Sequence, residues 1–213
     1  MSDWPTAAAL LAVAAVGLVL GIWGDDLRAL RRRPRLTVSV RSGPPDFQKV
    51  TQPAGAEGGA RDVYWARICV GNESRTAATN VEVRMLALRR RGAEAAYAID
   101  PDFLPISLLW ARGRNVTTHV VHQHLPKFID LLLVEQPDPG QPARFRFQTE
   151  VVPKAVRPGV WPTIKDAGSY RVDLAVTSDE GYPCFHTLEI GFSGRWVDDE
   201  AVMFGSELTL AVV

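Results

Sequence analysis

Three of the four histidines, His119, His122 and His124, fall within six residues in the pattern H-x2-H-x-H. In an extended segment alternate side chains share one face. His122 and His124 could then ligate one Zn2+ or Cu2+, with His186 supplied from another strand and His119 turned to the opposite face. No carboxylate or cysteine at ligand spacing completes the set, and the group stands beside Pro126, where exposed loop histidines are the simpler reading. The same residues form the only cluster able to titrate near neutrality, so pH sensing is a third.

Other candidate chemistry is thinner. Asp198, Asp199 and Glu200 could hold a hard cation or act as paired carboxylates, yet consecutive acids on a surface turn are usually solvated. Ser74, Ser107 and Ser169 lack a G-x-S-x-G elbow, and neither a G-x-x-x-x-G-K-[ST] nor a G-x-G-x-x-G phosphate loop occurs. Cys69 sits in an apolar strand pattern and Cys184 follows Pro183, so neither has an activating neighbour. No catalytic residue is assigned, no cofactor is expected, and the chain reads as non-enzymatic. Arg89-Arg90-Arg91-Gly92 suggests a basic hairpin tip, either solvated or in contact with a partner or lipid. Trp65, Trp110, Trp161 and Trp196 read as sheet-packing residues rather than a sugar platform.

Behind these residues stands a chain of 213 in which 24 Lys+Arg cancel 24 Asp+Glu, which argues against a nucleic-acid binder. Apolar residues at 46% and charged residues at 23% are ordinary globular usage, and two cysteines exclude a disulfide-rich scaffold or an all-cysteine zinc site.

Residues 7–23 (AAALLAVAAVGLVLGIW) form an unbroken apolar run between Trp4 and Trp23. As a helix the run would extend about 25 Å, at the lower limit for a bilayer core of about 30 Å. The flanking indoles favour a membrane span, because such rings prefer the headgroup level. A cleaved signal peptide would need a basic start and a small-x-small exit, whereas this sequence begins Met-Ser-Asp-Trp and leaves through Gly-Ile-Trp-Gly-Asp-Asp. A buried globular helix would carry a polar face, and none is present. Arg28, Arg31, Arg32, Arg33 and Arg35 follow the run, while the six residues before it hold no Lys or Arg. That bias predicts a single-pass protein of the plasma membrane with its C-terminal part cytoplasmic, and the same arginines suit anionic lipid headgroups. In a reducing compartment Cys69 and Cys184 stay thiols, and the sequons at Asn72 and Asn115 go unused; the opposite orientation reverses both expectations. Gly17 and Gly21, spaced as G-x-x-x-G, permit helix pairing and hence a homo-oligomer.

Past Pro34 the period becomes two. Leu36, Val38 and Val40 alternate with polar residues, and further strands are predicted at 63–70, 81–88, 104–110, 128–134, 145–151, 170–177 and 185–192. The segment 124–136 suits a strand better than the alternative helix opened by Pro126. Residues 42–62, rich in Gly and Pro, are predicted to hold no regular element. The resulting division is 1–24 anchor, 25–35 basic juxtamembrane segment, 36–194 antiparallel β-sandwich, and 195–213 a C-terminal extension of short helix plus edge strand.

Asp166-Ala167-Gly168-Ser169-Tyr170-Arg171-Val172 resembles the D-x-G-x-Y-x-C signature of immunoglobulin-like domains, with Val172 in place of the cysteine. Val70-Gly71-Asn72-Glu73-Ser74-Arg75, running into Ala78-Thr79-Asn80-Val81-Glu82-Val83, is similar to a hairpin of bacterial CARDB-type and fibronectin-like modules. Together with Phe103-Leu104-Pro105-Ile106 the pattern looks like the membrane-anchored Ig-like proteins of bacteria, over residues 36–192. The resemblance implies an Ig-like sandwich, with Asp166, Gly168 and Tyr170 as structural signature, and implies no activity. The expected function is scaffolding: a bilayer-tethered module binding a protein through a sheet face or edge. The alternative is an envelope domain sensing a ligand or metal through His119, His122 and His124.

Overall fold

The computed structural model describes residues 33–41, 43–52, 60–92, 95–101, 103–111, 115–149 and 164–213. The apolar run 7–23, Arg28, Arg31, Arg32 and Trp161 lie outside them. No described helix is long and apolar enough to cross a membrane.

The strand sequences are rich in β-branched and aromatic residues, which fit a pleated, half-buried surface. The longest are β3 (Arg61–Asn72) and β4 (Ala78–Arg91), and the turn between them carries the chain from one sheet to the other. In the first sheet β3 pairs with β1 (Leu36–Ser39), β2 (Phe47–Gln52) and β9 (Lys127–Glu135). Beyond β9 lie β7 (Leu109–Trp110), β10 (Phe145–Phe147) and β11 (Ile164–Lys165). In the second sheet β4 pairs with β5 (Tyr97–Ile99), β6 (Ile106–Ser107), β8 (Thr117–Val121) and β12 (Gly168–Thr177). That sheet ends through β13 (Cys184–Phe192) and β14 (Leu208–Val212). All these pairings are antiparallel. The molecule is a mainly β, two-sheet sandwich, and its strand pairing is compatible with an immunoglobulin-like arrangement.

The core lies between the sheets, with Tyr64, Ile68, Leu132, Phe145 and Phe147 on one side and Met85, Leu88, Val172, Leu174 and Ile190 on the other. Two bulges adjust it. Between Ala66 and Arg67 the register with β9 skips Leu131, so Leu131 and Leu132 are both buried. Another follows Asp173 in the β4–β12 pair. The residue beyond the first bulge, Arg67, turns outward and pairs with Asp130 at 2.6 Å.

The 124–136 segment is a strand from Lys127 to Glu135. Residues 42–62 do contain a regular element, contrary to expectation. Strand β2 forms there because Phe47 is buried against Phe204, with ring centroids 4.7 Å apart, and because β3 offers a partner edge. Local composition carries neither cause. The sandwich closes with one α-helical turn, α1 (Glu200–Val202), a π-helical turn at Met203–Glu207, and β14.

Candidate functional site

The signature residues build a tyrosine corner. Tyr170 is buried, its hydroxyl donates to the Asp166 carbonyl at 2.9 Å, and its ring meets Phe145 edge-on with centroids 5.3 Å apart. Burial pushes the phenol up from its ordinary pKa. At Gly168 φ is +156°, and a Cβ there would sit 3.3 Å from the Tyr170 ring. Val172 occupies the core where the resembled signature has cysteine. Cys69 and Cys184 are unbridged, and burial raises both thiols, so neither is poised as a nucleophile.

His119 lies on β8, and His122 and His124 on the turn that carries the chain from β8 in the second sheet to β9 in the first. Strand β8 stops at Val121, His122 bridges to Leu125, and His124 has φ +59°. His122 and His124 are exposed on this turn rather than alternating along a strand, so the shared-face condition for joint ligation is not met. His186 is on β13 in the same alternation as core residues Leu188 and Ile190; its Nε2 is buried with no hydrogen-bond partner among the described residues, and burial lowers its pKa. Among the described residues no three His, Cys, Asp or Glu are grouped to hold a metal ion.

The acidic run has structural work instead. Asp198 accepts from the Trp196 indole at 2.9 Å and lies 3.4 Å from Lys49 Nζ, while Asp199 caps α1 through Val202 N at 3.0 Å. Glu200 accepts from Lys49 N at 3.2 Å. Lys49 also pairs with Asp62 at 3.0 Å and stands over the Tyr64 and Trp196 rings, so an internal cation fills this aromatic corner. The sequence patterns give no sign of Lys49, because its partners come from two distant segments, 62–64 and 196–200.

Arg89, Arg90 and Arg91 do not form a hairpin tip. β4 continues through Arg91, Arg89 pairs with Asp173, Arg90 stands over the Tyr170 ring, and Arg91 donates to the Ala95 carbonyl. On the same outer face Arg171 pairs with Glu189, and on the other sheet Arg61 pairs with Asp138 and Arg146 with Glu135. The shallow grooves between these strands are lined in part by side chains already held in these ion pairs. Trp110 is in the core with its indole N–H on the Val81 and Val116 carbonyls; Trp196 packs on Tyr64, and Trp65 lies beside Arg67.

Two further surfaces stand out among the described residues. At one end of the sandwich lie the β3–β4, β8–β9 and β12–β13 turns together with Arg33-Pro34-Arg35, where the chain joins β1. Asn72, only 4% exposed, is the hub of this end. Its Nδ2 donates to the Thr76 and Val121 carbonyls at 2.7 and 3.0 Å, and its Oδ1 accepts from Ser74 N and Oγ at 3.0 Å and Arg35 N at 3.3 Å. The Asn72 sequon is therefore a turn device. Arg33 stacks on Tyr182, its guanidinium carbon 4.2 Å from the ring centre.

The second surface is the free edge of β14. The strand pairs with β13 from Leu208 opposite Phe192 to Val212 opposite Leu188, and stands last in its sheet. Among the described residues no strand pairs with its outer edge. Leu208 is buried and Leu210 packs against the core, while Thr209 and Ala211 are exposed.

Comparison with protein-family models, with curated proteins and with solved structures gives no match.

Proposed function

We propose that this protein is a non-enzymatic interaction module: an Ig-like sandwich, held on the cytoplasmic side of a bacterial plasma membrane by residues 7–23, that takes up an extended segment of a protein partner. The carrying observation is the β14 edge. Natural sheets blunt such edges with charge, proline or a bulge, since unpaired backbone N–H and C=O groups template another strand. Residues Leu208–Val212 (LTLAV) have no charged side chain and no proline, and their register with β13 is unbroken. A partner strand laid along them gains main-chain hydrogen bonds, and its alternate side chains meet Thr209 and Ala211 on the exposed face. Tethering raises the effective concentration of a partner that is itself at the membrane, so one short strand suffices for useful affinity.

The test is photocrosslinking in cells from a benzophenone residue placed at Thr209 of the full chain. A discrete adduct is expected. It should vanish when Ala211→Lys and Leu210→Lys charge the edge, provided that the unfolding midpoint shows the sandwich intact. An adduct of equal yield from the charged edge refutes strand addition, and no adduct at all refutes the module.

A further inference from the structure

We infer that the sandwich end formed by the β3–β4, β8–β9 and β12–β13 turns is a bilayer-docking surface, which binds anionic lipid headgroups and inserts Leu125 and Tyr182 at the interface. This rests on the membrane reading and adds to it an orientation and a recognition chemistry.

The turns are joined into one surface. Glu73 N donates to the Arg35 carbonyl at 2.9 Å, Gln123 Nε2 to the Glu73 carbonyl at 3.4 Å, and Asp179 N to the Thr79 carbonyl at 3.2 Å. Arg33 on Tyr182 ties the incoming chain to the β12–β13 turn. Large apolar side chains are exposed here: Leu125 at 61% and Tyr182 at 76%, with Phe185 close by on β13 at 68%. A tyrosine and a leucine exposed at the same end suit the headgroup level, where the tyrosine ring is apolar and its hydroxyl stays wet.

Charge supplies the second line of argument. Arg35, Arg75 and Lys127 are exposed at this end, and none has a carboxylate partner among the described residues. Elsewhere Arg61, Arg67, Arg146 and Arg171 each have one. The acids of this end, Glu73, Asp179 and Glu180, are exposed as well; Asp179 accepts from Asn80 Nδ2 at 2.5 Å and Glu180 from Thr79 N at 2.8 Å, and Arg33, Arg35, Arg75 and Lys127 outnumber them by one. Free cations with exposed apolar neighbours match an anionic membrane surface.

Chain continuity names the occupant. Arg33 follows Trp23, the end of the apolar run, by ten residues, so this end lies within about 35 Å of a bilayer holding that run, even with the link fully extended. At such range the encounter is intramolecular, and weak headgroup contacts are enough to seat the domain.

The experiment is amide hydrogen exchange on the full chain in nanodiscs of phosphatidylcholine alone or mixed with phosphatidylglycerol. Anionic lipid should slow exchange several-fold at residues 122–126 and 178–183, with no change at 136–142 beyond the opposite end of β9. Arg75→Glu with Lys127→Glu should abolish the slowing while the unfolding midpoint holds. If the chain resists extraction from the bilayer and the turns exchange alike in both lipids, the docking surface is refuted and the anchor stands. Slowing that survives charge reversal also overturns headgroup recognition. If the chain does not stay with the lipid, both the anchor and the docking surface fail.

Discussion

Asn72→Ala is expected to be the most costly single exchange at a polar residue of this end of the sandwich. The substitution removes five hydrogen bonds that hold together Arg35, the β3–β4 turn and the end of β8. The Val121 carbonyl faces Asn72 in a buried contact and would be left unsatisfied, at about 1–3 kcal/mol. The other four partners are only part-buried, so water replaces much of what they lose and each contributes near the lower end, about 0.5 kcal/mol. The total is about 3–5 kcal/mol. With a urea m-value of about 2 kcal/mol/M, the midpoint should fall by about 1.5–2.5 M at unchanged slope, read by tryptophan fluorescence on the full chain in mild detergent. Asn72→Asp keeps the acceptor for Ser74 and Arg35 but turns a carboxylate toward two carbonyl oxygens. It should be at least as damaging at neutral pH. Ser74→Ala, which spares the buried bond, should cost about 1 kcal/mol. An Asn72→Ala midpoint within about 0.3 M of wild type, or an Asp variant of full stability, would refute the reasoning.

Two further predictions concern the core. Tyr170→Phe deletes the single hydrogen bond to the Asp166 carbonyl and leaves the ring packing, so it should destabilise by about 1 kcal/mol, measured by the same urea titration; no shift would mean that the corner is held by packing alone. His186 gives a pH dependence of definite sign. Burial lowers its folded pKa from 6.5, so below that value the unfolded chain binds more protons. Stability from this residue is complete above the unfolded pKa and lost as pH falls toward the folded pKa, with slope at most about 1.4 kcal/mol per pH unit. His186→Leu should therefore lose less stability than wild type between about pH 7.5 and 5.5, and parallel losses in the two proteins would sink the assignment.

The legible parts of the fold are those in which neighbouring residues carry their own signal. Tyr170, Val172 and Leu174 alternate with polar residues because one face of β12 meets the core, and that period marks the strand directly. Asp166 and Tyr170 are four apart, so the corner is a local bond that a short motif can announce. At Leu131–Val134 the alternation fails: all four residues are buried, and the bulge accounts for Leu131 beside Leu132; the run fits helix and strand alike until its register with β3 is known. Strand β2 is invisible for the complementary reason, its sequence FQKVTQ being shaped by an edge and by Phe204 far along the chain.

The candidate site divides in the same way. His122 and His124 are close in sequence and stay close on one turn, but the positive φ at His124 and the bridge to Leu125 remove the extended geometry that joint ligation needs. Asp198 and Glu200 look free in a row of three acids, yet Lys49, from the distant strand β2, holds both. The sequence by itself determined the β class, the tyrosine corner and the placing of an apolar run before a basic segment, since period, motif and composition are properties of adjacent residues. Only the tertiary structure decided that Asn72 is a hub, that β14 is an open edge, and that three distant turns share one cationic, apolar end. Each of these depends on which strands lie beside each other, and pairing is set by the packing of the whole core.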